Sequence, residues 1–235
     1  FSQFKYPEFL VLEYGADRPG DIEKLVKFFK PHIAVVTAVG AIPVHVEFFE
    51  DTKGLAKEKS KLLKFLDHDD YAILNADDPQ VLEMRHKTKA KISTIGFSVD
   101  AEMRISDFVI SLDEENRPTG VGFKLNYNGS FVPVRLHGSL GQSQALAAAT
   151  GAMTGAILGL NLINISIALE HYYGPAGRLR ILNGAKNSLI VDDTYNSSPA
   201  SANLALETLK HLPAKRKIAV LGDMLELGKY SEEAH

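Results

Sequence analysis

Short apolar runs rich in β-branched residues alternate with amphipathic helical stretches through the first hundred residues. Phe9-Leu-Val-Leu-Glu-Tyr-Gly15 is an apolar run ending in glycine, so it predicts a strand and a loop. Asp21 to Lys30 spaces Ile22, Leu25, Val26 and Phe29 as a helix does. Ile33 to Val39 reads as a buried strand. Lys53 to Leu66 sets Leu55, Leu62, Leu63 and Leu66 against lysines, as an amphipathic helix would. Tyr71 to Asn75 and Ile92 to Phe97 are further strands, with Asp78-Pro79 opening a helix between them. Strand and helix in alternation give βαβ units, hence an α/β fold with a mostly parallel sheet.

The texture changes after residue 103. Arg104 to Leu136 is strand-rich, and Asn128-Gly129 between two apolar runs predicts a tight hairpin. Gln142 to Leu158 and Leu162 to Tyr173 read as helices, and Gly174-Pro-Ala-Gly177 as a linker. Beyond it the pattern predicts a strand at Ser188 to Asp192, a helix at Ala200 to Leu212 and a strand at Lys217 to Leu221. Those three make one more βαβ unit.

Composition excludes several classes. With 45% hydrophobic residues and a net charge of −3 the chain can bury a core, so it is not disordered. Lys+Arg is 26 against Asp+Glu 29 with no basic run, which argues against a nucleic-acid partner. There is no cysteine, so thiol catalysis and thiolate metal sites are out. The most apolar stretch, Ala145 to Leu160, is interrupted by three glycines and reads as a buried helix rather than a membrane span.

Several polar residues stand where chemistry is done. Glu13 ends the first predicted strand, where open α/β sheets bind ligands and a carboxylate could hold Mg²⁺; position alone favours the plainer reading, a loop carboxylate capping the following turn. His45 follows a strand end and could bind metal or carry a proton, or make an ordinary polar contact. Lys57 and Lys61 share a helix face while Lys59 points elsewhere. Asp192-Asp-Thr-Tyr-Asn-Ser-Ser-Pro199 is the sharpest segment. Ser198 and Pro199 suit a helix start. Two adjacent acids at a buried strand end are costly unless a ligand hydroxyl or cation meets them. No G-x-x-x-x-G-K-[ST] phosphate loop is present; Gly222 to Tyr230 has the wrong spacing and a tyrosine in the last place.

Together these pieces resemble the Mur ligases, the ATP-dependent amide-forming enzymes of peptidoglycan synthesis. Val11-Leu-Glu-Tyr-Gly-Ala-Asp-Arg-Pro-Gly20, Gly54-Leu-Ala-Lys-Glu-Lys59 and Leu74-Asn-Ala-Asp-Asp-Pro79 are similar to the family's central ATPase domain. Asp192 to Asn196 with Pro199, and Leu221-Gly-Asp-Met-Leu-Glu-Leu-Gly228, resemble the branch that adds D-alanyl-D-alanine to UDP-N-acetylmuramoyl-tripeptide.

The resemblance implies residues 1–175 as most of a central ATP-binding domain and 176–235 as the start of a Rossmann-like C-terminal ligase domain. The family's N-terminal domain and phosphate loop would then lie outside this stretch, and the stretch alone would be inactive. It implies Glu13 and His45 as Mg²⁺ ligands, Lys59 as a carbamylated catalytic lysine, and His45 beside it in catalysis. Neighbouring Lys57 and Lys61 would lower the pKa of Lys59. Asn75, Arg178, Asp193, Tyr195 and Asn196 would serve the ATP site, Arg178 at the phosphates and Asp193 at the ribose. The implied protein is a cytoplasmic monomer with no nucleic acid and no membrane insertion. A non-catalytic scaffold of the same family, or a folylpolyglutamate-type ligase, are the alternatives. The chain departs from the family pattern at Lys61, where a glutamate is usual, and at Leu140, Gly141 and Gln144, which replace residues of a Gly-x-His-Asn-x-x-Asn segment.

Overall fold

The computed structural model describes residues 7–40, 48–49 and 51–235. A six-stranded sheet runs in the order β1 to β6: β1 (Ile33–Val36), β2 (Tyr71–Asn75), β3 (Lys91–Gly96), β4 (Met103–Leu112), β5 (Pro118–Tyr127) and β6 (Ser130–His137). The first four pair in parallel, with Val36 beside Leu74 and Leu74 beside Thr94. The last three form an antiparallel meander. Asn128 and Gly129 both take positive φ (50° and 74°), the geometry of a tight hairpin turn, and Tyr127 pairs with Ser130 across it.

The period of two along β2 sends its side chains to two cores. Ala72 and Leu74 join Leu55 and Leu63 of α2 (Thr52–Lys64) and Val81 of α3 (Pro79–Glu83) on one face. Ile73 joins the other face, where Ile95, Met103, Ile105, Val121 and Leu125 meet α4 (Gln142–Ile157). Helix α4 turns Ala145, Ala148, Ala149, Ala152 and Met153 inward, so its small residues bring it close to the sheet. Fully burying each large apolar side chain contributes roughly 1.5–3 kcal/mol. Both faces of the parallel strands are therefore covered, which explains why their sequences are nearly continuous apolar runs. Helix α1 (Asp21–Phe28) packs on α2 with Ile22 and Val26 buried. Helix α5 (Leu162–Glu170) packs on β6.

Beyond the linker, β7 (Arg180–Asn183) and β8 (Leu189–Asp192) form a two-stranded antiparallel sheet, followed by α6 (Pro199–His211). Two expectations fail. Residues 9–15 form no strand: Phe9, Leu10, Val11 and Leu12 are exposed, Val11 at 93%. Residues 217–221 form none either, and Val220 is 93% exposed. Each run has the right composition, but neither pairs with a neighbouring strand among the described residues. The second βαβ unit is consequently absent there, since β8 pairs with β7 instead.

Candidate active site

Two clusters of polar side chains stand out. The first lies at the carboxyl ends of β1, β2 and β3, where parallel sheets present their loops to ligands. Asn75, the last residue of β2, is buried; its amide donates to the Thr37 carbonyl at 2.8 Å and its oxygen accepts from the Asp77 N–H at 2.9 Å. Asp78 caps α3 through the N–H groups of Gln80 and Val81, while its other oxygen accepts from Val39 at 2.8 Å and Gly40 at 3.3 Å. Asp77 accepts from the N–H groups of Phe97 and Ser98, both at 2.8 Å. Three strand-end loops are thus tied to one another by carboxylates and an amide. In the sequence Asp78 reads as a helix start and Asp77 only as part of the Leu74 to Pro79 family segment, yet both acids organise this edge.

Lys59 reaches the same edge. Its Nζ donates to the Ala38 carbonyl at 2.8 Å. Burial holds its pKa below the ordinary lysine value, and Asp78 pulls partly the other way. The expected cause, repulsion from Lys57 and Lys61, does not hold. Lys61 is 2.6 Å from Glu58, and desolvation does the lowering. Glu13 is exposed in a segment without regular secondary structure. His45 lies outside the described residues. Among the described residues no three His, Asp or Glu side chains converge as a metal site.

The second cluster is the joint between α4, the linker and the end of β8. Asp192 accepts from the Gly177 N–H at 3.2 Å and from the N–H and hydroxyl of Thr194, which hold its carboxyl below the usual range. Asp193 accepts from the Leu179 N–H at 3.1 Å, but burial still raises its pKa. The two acids are half-buried rather than buried, and the chain itself supplies their partners, so no ligand is required to explain them. Ser198 and Ser201 form a reciprocal cap at the start of α6. The Arg178 guanidinium sits 4.3 Å from the centre of the Tyr195 ring. Tyr195 and Asn196 are exposed. Gly177 takes φ +70° and packs so closely that an added Cβ would lie 2.7 Å from the Tyr195 nitrogen. Exposed and half-buried groups here offer a cation on an aromatic face, a carboxylate and an amide. That set suits a phosphorylated ligand with hydroxyl groups.

Two family models match the chain: Mur ligase middle domain over residues 2–152, and Mur ligase, glutamate ligase domain over residues 177–235. UDP-N-acetylmuramoyl-tripeptide--D-alanyl-D-alanine ligase of Escherichia coli K12 is 32% identical over 97% of this chain and 49% of its own length. The enzyme of the same name from Mycobacterium tuberculosis H37Rv is 31% identical over 97% of this chain and 44% of its length. The chain therefore spans about half the length of the curated relatives it matches. Among solved structures, MurF ligase from Thermotoga maritima in complex with ADP aligns with a TM-score of 0.84 at 29% identity, covering 99% of this chain and 51% of that one. MurF from Acinetobacter baumannii aligns with a TM-score of 0.82 at 26% identity, covering 94% and 46%.

Proposed function

The chain belongs to the Mur ligase family, and from that premise we propose that it is the nucleotide-binding part of the ligase that joins D-alanyl-D-alanine to UDP-N-acetylmuramoyl-tripeptide. The observation that carries this reading is the continuous similarity to enzymes of that name over 97% of the chain. The ADP complex of the Thermotoga maritima structure supports ATP as the phosphoryl donor.

In this reading the tripeptide carboxylate attacks the γ-phosphorus of ATP. The bond to the β–γ bridging oxygen breaks, leaving ADP and an acyl phosphate. The amine of D-alanyl-D-alanine then attacks the acyl carbon, a tetrahedral intermediate forms, and phosphate departs with the amide bond made. The protein's part is charge neutralisation and positioning. Arg178 meets the phosphates, Asp193 the ribose hydroxyls, Tyr195 and Asn196 the nucleotide side of the joint, and Asn75 holds the β2 edge. Burial lowers the pKa of half-buried Lys59, which favours the deprotonated amine that takes up CO₂ and, on releasing a proton, becomes an anionic carbamate. Mg²⁺, when bound, would neutralise the phosphates; its assignment to Glu13 and His45 rests on family membership. The chain divides near residue 175 into a central and a C-terminal domain. A cytoplasmic, monomeric protein is part of the same reading and rests on family membership alone. Among the described residues no helix is long and apolar enough to cross a membrane.

The test uses the full-length protein. Phosphate release should depend on both UDP-N-acetylmuramoyl-tripeptide and D-alanyl-D-alanine. ADP binding without any such turnover would favour the non-catalytic scaffold, to which the changed 138–144 segment lends some support. Turnover with a different amino-acid acceptor would move the chain to another branch.

A further inference from the structure

One peptide unit at the joint is held from both sides. The carbonyl of Arg178 accepts from the side-chain amide of Gln144 at 3.0 Å. The N–H of Leu179, in the same peptide plane, donates to Asp193 at 3.1 Å. Gln144 is in the first turn of α4 and Asp193 directly follows β8. The plane therefore spans the two halves of the joint. Leu179 is buried and takes φ +50°, a left-handed conformation that a leucine does not adopt without support. Its carbonyl is also fixed, by the N–H of Leu140 at 2.9 Å.

Gln144 is itself locked. It is 6% exposed, and its oxygen accepts from the Tyr172 hydroxyl at 3.3 Å. With the oxygen so used, the amide nitrogen faces Arg178. A carboxylate in this place could accept from Tyr172 but could not donate to a carbonyl. Gln144 is one of the positions at which this chain departs from its family's pattern, so its part is not given by that pattern.

We propose that Gln144 is a positioning residue for the nucleotide site. By holding the Arg178 carbonyl it sets the 178–179 peptide plane against Asp193, and so aims the Arg178 guanidinium, stacked on Tyr195, at the phosphates. This rests on the nucleotide-site reading above. If the peptide turns, Asp193 loses its N–H partner and Arg178 leaves its stack together.

The experiment measures ADP binding by calorimetry in the full-length protein. Gln144→Glu should bind ADP about tenfold more weakly, the loss of one hydrogen bond's worth of orientation. Tyr172→Phe, which leaves the Gln144 donor in place but removes the partner that orients it, should weaken ADP binding less than Gln144→Glu does. Because both side chains grip one peptide, Gln144→Glu combined with Asp193→Ala, which removes the acceptor of the Leu179 N–H, should lose less than the sum of the two single losses. If Gln144→Glu does not fold, Gln144→Met removes the donor without adding charge and carries the same expectation. Wild-type affinity in the Gln144 variant, or strict additivity in the double variant, overturns the positioning role alone. A wild-type protein that binds no ADP overturns the nucleotide reading and the role with it.

Discussion

Lys61 Nζ lies 2.6 Å from one oxygen of Glu58, and the other oxygen of Glu58 accepts the N–H groups of Gly20 at 2.9 Å and Ile22 at 3.2 Å. Gly20 precedes α1 and has no side chain to cap it, so a carboxylate from α2 does that work. The lysine at a position where the family usually has glutamate is thereby a structural partner. Glu58 is 2% exposed. Its replacement by leucine should strip the helix N-terminus of its acceptor and leave Lys61 without its counter-charge. A loss of about 3 kcal/mol is expected in urea unfolding. A change below about 0.5 kcal/mol, the range of ordinary surface substitutions, would mean water replaces the carboxylate at no cost.

Lys59 offers a test through pH. Burial lowers its folded pKa, so between that value and the ordinary lysine value near 10.4 the unfolded chain binds more protons than the folded one. Stability should therefore rise with pH across that window, and Lys59→Met should flatten the rise. In the ligase assay Lys59→Ala should nearly abolish turnover, with partial recovery on adding short carboxylic acids that replace the carbamate. Full activity in the alanine variant would reduce Lys59 to a lysine that ties α2 to the Ala38 carbonyl.

The periodic elements were legible because their burial is local in origin. Ala72 to Leu74 of β2 are all apolar because helices cover both faces of the sheet there, and Asn128-Gly129 is the pair that a tight hairpin turn prefers. Phe9 to Leu12 and Lys217 to Leu221 were misread for the opposite reason. A strand exists by pairing, and composition does not say whether a partner is beside it. At the site, the acids at 192 and 193 were visible as unusual, but not that Gly177, Leu179 and Thr194 would satisfy them. Gly177 ends the linker and Leu179 lies just past it, on a path that no periodicity reveals. Gln144 looked like a mere departure from a motif, because its significance depends on Arg178, thirty-four residues away.

Asp193 separates stability from binding. Its folded pKa is raised by burial, so the folded state resists ionisation more than the unfolded state does. The sign follows: its stability contribution is full below the ordinary aspartate value and is lost as pH rises through the higher folded value. Asp193→Asn keeps an oxygen for the Leu179 N–H and removes the half-buried charge. At pH 7 the variant should be at least as stable as wild type by thermal melting, yet bind ADP about tenfold more weakly if the carboxylate meets ribose hydroxyls. Unchanged affinity with a lowered melting temperature would instead make Asp193 a turn residue.

Gly177 tests whether the joint is tight for a reason. Its φ of +70° is a conformation that costs an alanine about 1–2 kcal/mol. An alanine Cβ would also stand 2.7 Å from the Tyr195 nitrogen and 3.0 Å from the Tyr195 Cβ. The obstacle is backbone, which cannot rotate away as a side-chain tip can. The Tyr195 N–H donates to the Gly177 carbonyl at 3.2 Å, so the push would break that bond and lift Tyr195 from Arg178. Gly177→Ala should thus lower stability and weaken ADP binding together. The two effects are separable by temperature: affinity measured well below the melting transition should still be reduced, because the stack is lost in the folded state. Normal affinity there would show that the joint can open at Tyr195 without disturbing Arg178, and the coupling argued for this peptide segment would end at Gly177.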